Sequence, residues 1–257
     1  MGDVAVITGG AGGIGYALAQ RLAARGDRIV LADLHAGRAE EAAARLGSGH
    51  LGVALDVTDE AAVAAVVERV ENEVGPIGFW ASNAGVATAP GLGTDAEWQL
   101  AFGVHVLAHV YAARTALPRM VARGRGHFLV TASAAGLLTE MDVAAYATTK
   151  HGSVAIAEWL AIRYGDSGVG FSCLCPQGVR TAMLADAPAD SSTLAAGALI
   201  SPEEVADAVL AAVAEGRFLV LPHPQVATYA QHRATDPDRW LTGMRRAWRK
   251  LHPDASS

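Results

Sequence analysis

Tyr146 and Lys150, in the stretch AAYATTKHGS, put a phenol and an ammonium four residues apart, which on a helix means one face and one turn. An unperturbed phenol, with a pKa of about 10, is protonated at neutral pH, but a neighbouring cation favours the phenolate, so the pair can act as a base towards an alcohol hydroxyl. Ser133, thirteen residues before the tyrosine in TASAAG, adds a hydroxyl able to hold an oxygen on which charge develops. The pair by itself recurs by chance in many helices. Far upstream, TGGAGGIG at residues 8–15 follows the apolar run VAVI, and its glycines suit a tight bend whose backbone another group can approach.

The rest of the chain must position these groups, and it does so by alternation. Strand candidates are VAVI, IVLAD, HLGVALDV, PIGFWASNAG, GHFLVTAS, VGFSCLC and RFLVL. Between them lie helical patterns, among them GIGYALAQRLAARG, DEAAVAAVVERVENEVG, the long DAEWQLAFGVHVLAHVYAARTALPRMV, AAYATTKHGSVAIAEWLAIRYG and PEEVADAVLAAVAEG, with a last helical segment near 238–251. Such alternation predicts an α/β fold, a parallel sheet of about seven strands with helices on both faces. No linker divides the 257 residues, so one domain is expected over 1–257, with a lid at about 182–200 and a C-terminal helical extension at about 225–257. A composition 51% apolar and 18% charged is that of a globular chain. A net charge of −6 without a basic stripe argues against nucleic acid and anionic membranes as partners. The start MGDVAVITGG has no leader pattern and no apolar stretch reaches membrane-spanning length, which predicts a soluble, cytoplasmic protein. Cys173 and Cys175, the only cysteines, stand two apart on one strand, where they face the same side without bridging.

Glycines after a first strand and at the start of a helix expose backbone N–H groups at the positive end of the helix dipole, a seat for a pyrophosphate. The spacing here, Thr8-Gly9-x-x-x-Gly13-Ile14-Gly15, resembles that of the short-chain dehydrogenase/reductase family, as do Ser133, Tyr146 and Lys150. The resemblance runs from Val4 to about Leu221 and implies a single Rossmann-like, doubly wound sheet and an NAD(H)-dependent oxidoreductase. It assigns Tyr146 as general acid/base, Lys150 as the group that lowers its pKa and binds the nicotinamide ribose, and Ser133 as the holder of the substrate oxygen. Asp33, ending IVLAD, can accept hydrogen bonds from the adenosine ribose hydroxyls and repel a 2′-phosphate, which favours NAD over NADP. Asp56 and Val57, closing the third strand, correspond to the adenine contact, although Asp56 reads equally as a helix cap in competition with Asp59. Asn83-Ala84-Gly85 resembles the family's Asn-Asn-Ala-Gly turn with Ser82 in place of the first Asn. Pro176, Val179 and Thr181 resemble the segment that holds the carboxamide, with Gln177 at a position usually glycine and directed towards substrate.

His105 is the serious departure, for relatives usually carry there an asparagine that holds a water linking the lysine to solvent. Imidazole can replace it in that relay, or the histidine can simply be packed. A relay lost at His105 would instead leave a nucleotide-binding regulatory or scaffold protein. His105 and His109 have metal-gripping spacing, but no third ligand is placed by sequence, and no G-x-S-x-G elbow supports a hydrolase. No metal is expected. The lid, with Leu137, Leu138, Met141 and Ala144, predicts apolar walls and a small-molecule substrate, a hydrophobic secondary alcohol or its ketone. GSVAIAEWLAIRYG is apolar around most of its circumference, and relatives pair this helix and the one before it, so a homotetramer or homodimer is expected.

Overall fold

The computed structural model describes residues 3–185, 191–195 and 197–253. Seven parallel strands form one sheet: β1 Val4–Thr8, β2 Arg28–Asp33, β3 Leu51–Ala54, β4 Ile77–Ser82, β5 Gly126–Thr131, β6 Val169–Leu174 and β7 Leu219–Val220, in the order β3-β2-β1-β4-β5-β6-β7. Strand direction reverses its lateral course between β1 and β4, which opens a crevice beyond their carboxyl ends, the place where such sheets bind ligands. The doubly wound fold expected from alternation is therefore present.

Helices cover both faces. On one side α1 Gly13–Ala24, α2 Ala36–Leu46 and the later helix Pro202–Ala214 bury Leu18, Leu22, Ala42, Val205 and Val209 against Ile7, Ile29 and Leu31. On the other, α3 Glu60–Arg69, α4 Asp95–Phe102, α5 Ala108–Arg123 and α6 Ala144–Tyr164 enclose Val6, Val30, Trp80, Phe128 and Val130. Alternate residues of each strand thus go to opposite cores, as a two-sided sheet requires. Pro202–Ala214 is α7, opened by a capping box in which the Ser201 hydroxyl accepts from the Glu204 N–H at 3.1 Å.

Three expectations about the elements are corrected. The long helix 95–121 is not uniform: a π-helical turn, Gly103–Leu107, joins α4 to α5 and carries His105 inward. The run Asp95–Arg123 is long and apolar enough, by length and composition, to cross a membrane, which sequence reading missed; half of its apolar window is buried inside the fold. The C-terminal segment forms two helices, α8 Gln225–Thr235 and α9 Pro237–Leu251, because Asp236 leaves helical geometry, accepts from the Arg239 N–H at 3.0 Å and precedes a proline at the first helical position. In the expected lid the described residues form two single turns, Ala182–Ala185 and Ser192–Ala195; residues 186–190 and 196, like 254–257 of the C-terminal extension, lie outside the described residues.

Gly136, in the turn Ala135–Leu138 after β5, lets that turn lie against the backbone of α6: a Cβ there would stand 2.4 Å from the Lys150 carbonyl oxygen and 2.8 Å from its carbon. Since backbone cannot give way cheaply, Gly136→Ala is expected to destabilise the fold by about 1–3 kcal/mol, read as a lower urea midpoint at unchanged m-value.

Candidate active site

The glycine cradle comes first along the chain. Gly9, with φ +62°, approaches the turn after β4 so closely that a Cβ would meet the Ala84 Cα at 2.9 Å, and one on Gly15 would meet the Asn83 amide nitrogen at 2.8 Å. Thr8 ties the two loops together, its hydroxyl accepting from the Asn83 and Ala84 N–H groups at 2.9 and 3.0 Å, while Asn83 Nδ2 donates to the Thr8 carbonyl at 3.0 Å. Gly13 packs beside Thr181, and Ile14 against the apolar core. The amino end of α1 has a glycine cap, no side-chain cap and no acid in its first turn, unlike the capping boxes of α4 and α7. Among the described residues no side chain caps these first N–H groups, and they fit the pyrophosphate of a dinucleotide. At the edge of the loop Asp33 accepts from the Ala11 N–H at 3.3 Å, and Arg38 reaches over Gly12.

Tyr146, Lys150 and Ser133 meet at the carboxyl edge of β5. Lys150 Nζ lies 5.6 Å from the centre of the Tyr146 ring, on the shared face of α6, and donates to the Thr131 carbonyl at 3.1 Å. Thr131 in turn donates from its hydroxyl to Asn83 Oδ1 at 3.1 Å, so the ammonium is wired to the turn beside the cradle. Ser133 Oγ accepts from the Ala135 N–H at 3.1 Å and donates to the Pro176 carbonyl at 3.4 Å. The expected acidification of the phenol is not what this geometry gives. Burial raises Tyr146 above the ordinary tyrosine value, and the Ser133 side chain, as a hydrogen-bonding partner, brings it part of the way back. Burial also lowers Lys150, to about 8.

His105 has a different occupation from the expected relay. Its Nε2 accepts from the Val86 N–H at 3.1 Å, so Nδ1 carries the proton and donates to Thr149 Oγ1 at 2.9 Å, and the Thr149 hydroxyl donates in turn to the Ala145 carbonyl at 2.8 Å. Ser153 holds the His105 carbonyl at 2.6 Å. With both ring nitrogens engaged, and burial followed by the Lys150 charge pushing the ring down to about 2, it does not take up a proton near neutral pH. The imidazole instead stands edge-on to the Tyr146 ring, centroids 5.4 Å apart, and clamps α6 to the loop after β4. The Ser133, Tyr146 and Lys150 group is assembled with His105 in place.

The remaining assignments divide. Asp59, not Asp56, caps α3, accepting from the Ala61 and Ala62 N–H groups; Asp56 folds onto Thr58, which donates to it from nitrogen and hydroxyl at 2.9 and 2.7 Å, and Val57 packs on the core. Val179 is buried and bridges to Ile200. Gln177 is tied to the C-terminal segment: its Oε1 accepts from Gln225 on α8 at 2.6 Å and its N–H donates to His223 at 3.1 Å. Met183 reaches to the Gly85 backbone beside His105. The two thiols lie 3.7 Å apart, unbridged and buried.

Sequence reasoning missed a second node, between Ser133 and Tyr146. Glu140 accepts from the Val143 N–H and the Ser192 hydroxyl at 2.6 and 2.5 Å, Asp142 accepts from the Ser192 N–H at 2.7 Å, and His252 stands 3.5 Å from Asp142. With Trp240 packed against Ala134 and Leu138, and Arg233 bonded to the Leu137 carbonyl, this fastens α8 and α9 over the loop that holds Ser133. The two acids of TEMD, in an otherwise apolar stretch, were the available signal.

Comparison with known proteins gives the family and the fold. A family model described as short chain dehydrogenase matches residues 3–192. The chain is 35% identical to the 1-deoxy-11-beta-hydroxypentalenate dehydrogenase of Streptomyces avermitilis, over 93% of this chain and 91% of that one, and 35% identical to the cis-4-hydroxycyclohexanecarboxylate dehydrogenase of Sinomonas cyclohexanicum, over 80% and 87%. Among solved structures, a short chain dehydrogenase/reductase of Burkholderia phymatum in complex with NAD superposes with a TM-score of 0.82 at 31% identity, covering 92% of this chain and 94% of that one. One of Sphingobium yanoikuyae in complex with NADPH gives 0.78 at 28%, covering 95% of each.

Two buried imidazoles, His105 and His109, and the half-buried His127 generate a prediction. Burial, in each case the largest cause, pushes His105, His109 and His127 down to about 2, 3 and 4, while in the unfolded chain they protonate near pH 6.5. Between those values the unfolded chain binds more protons, so the stability these neutral rings allow is complete above about pH 6.5 and is lost as pH falls below it. Urea unfolding at pH 5 against pH 7 is expected to show a loss on the order of 1–2 kcal/mol per ring, and His105→Asn should flatten the slope. A midpoint independent of pH over that interval contradicts the assignment.

Proposed function

The chain belongs to the short-chain dehydrogenase/reductase family, and on that premise, an oxidoreductase using a nicotinamide dinucleotide and a small-molecule substrate, we propose that it interconverts a hydrophobic secondary alcohol and its ketone with NAD(H). The observation that carries this reading is the Lys150 ammonium held over the Tyr146 ring, beside Ser133 and next to a glycine cradle. When bound, the dinucleotide supplies or accepts the hydride. Thr8, Gly9, Gly13, Ile14, Gly15, Asn83, Ala84 and Gly85 build its seat, Asp56 and Val57 border the adenine, and Pro176, Val179 and Thr181 border the nicotinamide end.

Ser133 holds the substrate oxygen, and Tyr146 moves the proton at its phenol oxygen. A buried phenol kept above its ordinary pKa is the protonated donor that ketone reduction needs; in the oxidising direction it must first ionise, which the adjacent Lys150 charge favours. Oxidation therefore gains as pH rises and reduction gains as it falls. His105 keeps Tyr146 in register with the loop after β4 and takes no proton itself. Asp33 supports NAD over NADP, since a 2′-phosphate would meet its carboxylate, and Arg38 beside Gly12 is the cation that works the other way. The two similar curated dehydrogenases carry ring-bearing hydroxy acids in their names, which supports a cyclic skeleton within the class of secondary alcohols.

We treat residues 1–257 as one catalytic domain of the cytoplasm, in keeping with two free thiols that remain unbridged at 3.7 Å. Trp159 and Ile162 on α6 are 54% and 86% exposed, and Leu100, Phe102 and Leu107 on the α4 side are likewise open, which supports pairing of subunits through these helices into a homodimer or homotetramer. Sedimentation at micromolar concentration should find no monomer; Ile162→Lys should release one.

A panel of cyclic and linear secondary alcohols with NAD and with NADP tests the reaction. NAD is expected to be preferred at least about tenfold, and Tyr146→Phe to lower turnover by about 100-fold or more. Equal rates with both dinucleotides would overturn the cofactor preference, and undiminished oxidation by Tyr146→Phe the mechanism.

A further inference from the structure

His109 is a buried titratable side chain that the reaction above does not use. It lies one turn beyond His105, is 1% exposed, and meets Ser82 Oγ through Nδ1 at 2.6 Å. Its Nε2 is enclosed and has no hydrogen-bond partner among the described residues. A ring nitrogen in that state is costly to bury unless an internal donor or an enclosed water meets it. Lys150 is the donor at hand: an ammonium has three N–H groups, and the Thr131 carbonyl takes one at 3.1 Å. Ser82 and Thr131 end the neighbouring strands β4 and β5, where Ser82 pairs with Val130, so the anchors of the two side chains stand next to one another.

Charge decides which tautomer belongs there. Burial, then the Lys150 charge, pushes His109 down to about 3, so the ring is neutral near pH 7. A neutral ring that donates Nδ1–H to Ser82 leaves a lone pair on Nε2, the form a neighbouring cation favours. The other titratable groups facing Lys150 are Tyr146 on its own helix, His105 from the π-helical turn, and the Cys173 and Cys175 thiols from the β6 side. Cys173 is kept a neutral thiol by its hydrogen bond with Cys175 and by burial, so it offers the ammonium no negative charge.

We propose that His109 is a positioning residue for Lys150: pinned through Nδ1 by Ser82, it presents Nε2 as an acceptor to the ammonium through an enclosed water, keeping that group charged and aimed at Tyr146. The role rests on the reading of Tyr146 and Lys150 as the acid/base pair. It matters because burial has already brought Lys150 to about 8, where the loss of one acceptor costs it the proton near neutral pH.

The chain has only two lysines, Lys150 and Lys250, so protein labelled with 13C at lysine Cε gives two signals, and Lys150→Met identifies one. In the native protein the Lys150 signal should titrate near pH 8. His109→Leu, which removes the acceptor, should lower that midpoint by about one pH unit and shift the alkaline limb of alcohol oxidation with it; His109→Gln, whose amide oxygen can accept, should restore most of the shift. Ser82→Ala removes only a hydroxyl and should lower the midpoint by a smaller step, which provides a reading should the leucine variant fail to fold by circular dichroism. Native midpoints in His109→Leu and Ser82→Ala overturn the proposal, as does a loss in His109→Gln equal to that in the leucine variant. Turnover that survives Tyr146→Phe would instead remove the acid/base reading while leaving the lysine titration to report on His109.

Discussion

A lysine ammonium that is 4% exposed must be matched inside the protein, and the centre of this fold is arranged around doing so. The Thr131 carbonyl takes one N–H, the Tyr146 ring lies beneath, and Thr131 is itself bonded to Asn83, whose amide returns to Thr8 at the edge of the glycine cradle. An unpaired buried charge costs several kcal/mol, so β5, the turn after β4 and the cradle cannot move independently of Lys150. Lys150, Tyr146 and the glycine cradle are one mechanical unit.

The same economy explains the π-helical turn at Gly103–Leu107. A regular helix through α4 and α5 would carry its side chains onward at a constant rotation; the wider turn brings His105 into the interior, where Val86, Thr149 and Ser153 use every polar group it has. Asparagine and histidine both donate and accept, but a ring with two nitrogens on opposite sides bridges two elements that an amide reaches only from one end. Here the bridge joins the loop after β4 to the helix that carries Tyr146.

On the outer side, the C-terminal helices are held by different forces. α9 buries none of its residues fully, and the ties of α8 and α9 to the body include Arg233 on α8, Trp240 on α9 and the contact of His252 with Asp142. Asp142 and Glu140 also hold Ser192. Polar bonds at a partly exposed edge are weaker than a packed core, which suits a cover over a site that substrates must enter and leave.

The alternation of apolar runs with helical periods, the glycines after β1 and the separation of Ser133, Tyr146 and Lys150 are local in the chain, and they determined the sheet, its helices and the place of the crevice. Tertiary structure alone decided what met these residues across 19 to 50 positions: Val86 and Thr149 at His105, Gln225 at Gln177, Ser82 at His109, Ser192 at Asp142. It also reversed the expected sign at Tyr146, because periodicity shows that a cation shares the helix face but not how deeply both groups are desolvated. Periodicity records which face a side chain takes; which partner it finds there depends on strand order and register, which no short stretch of sequence contains.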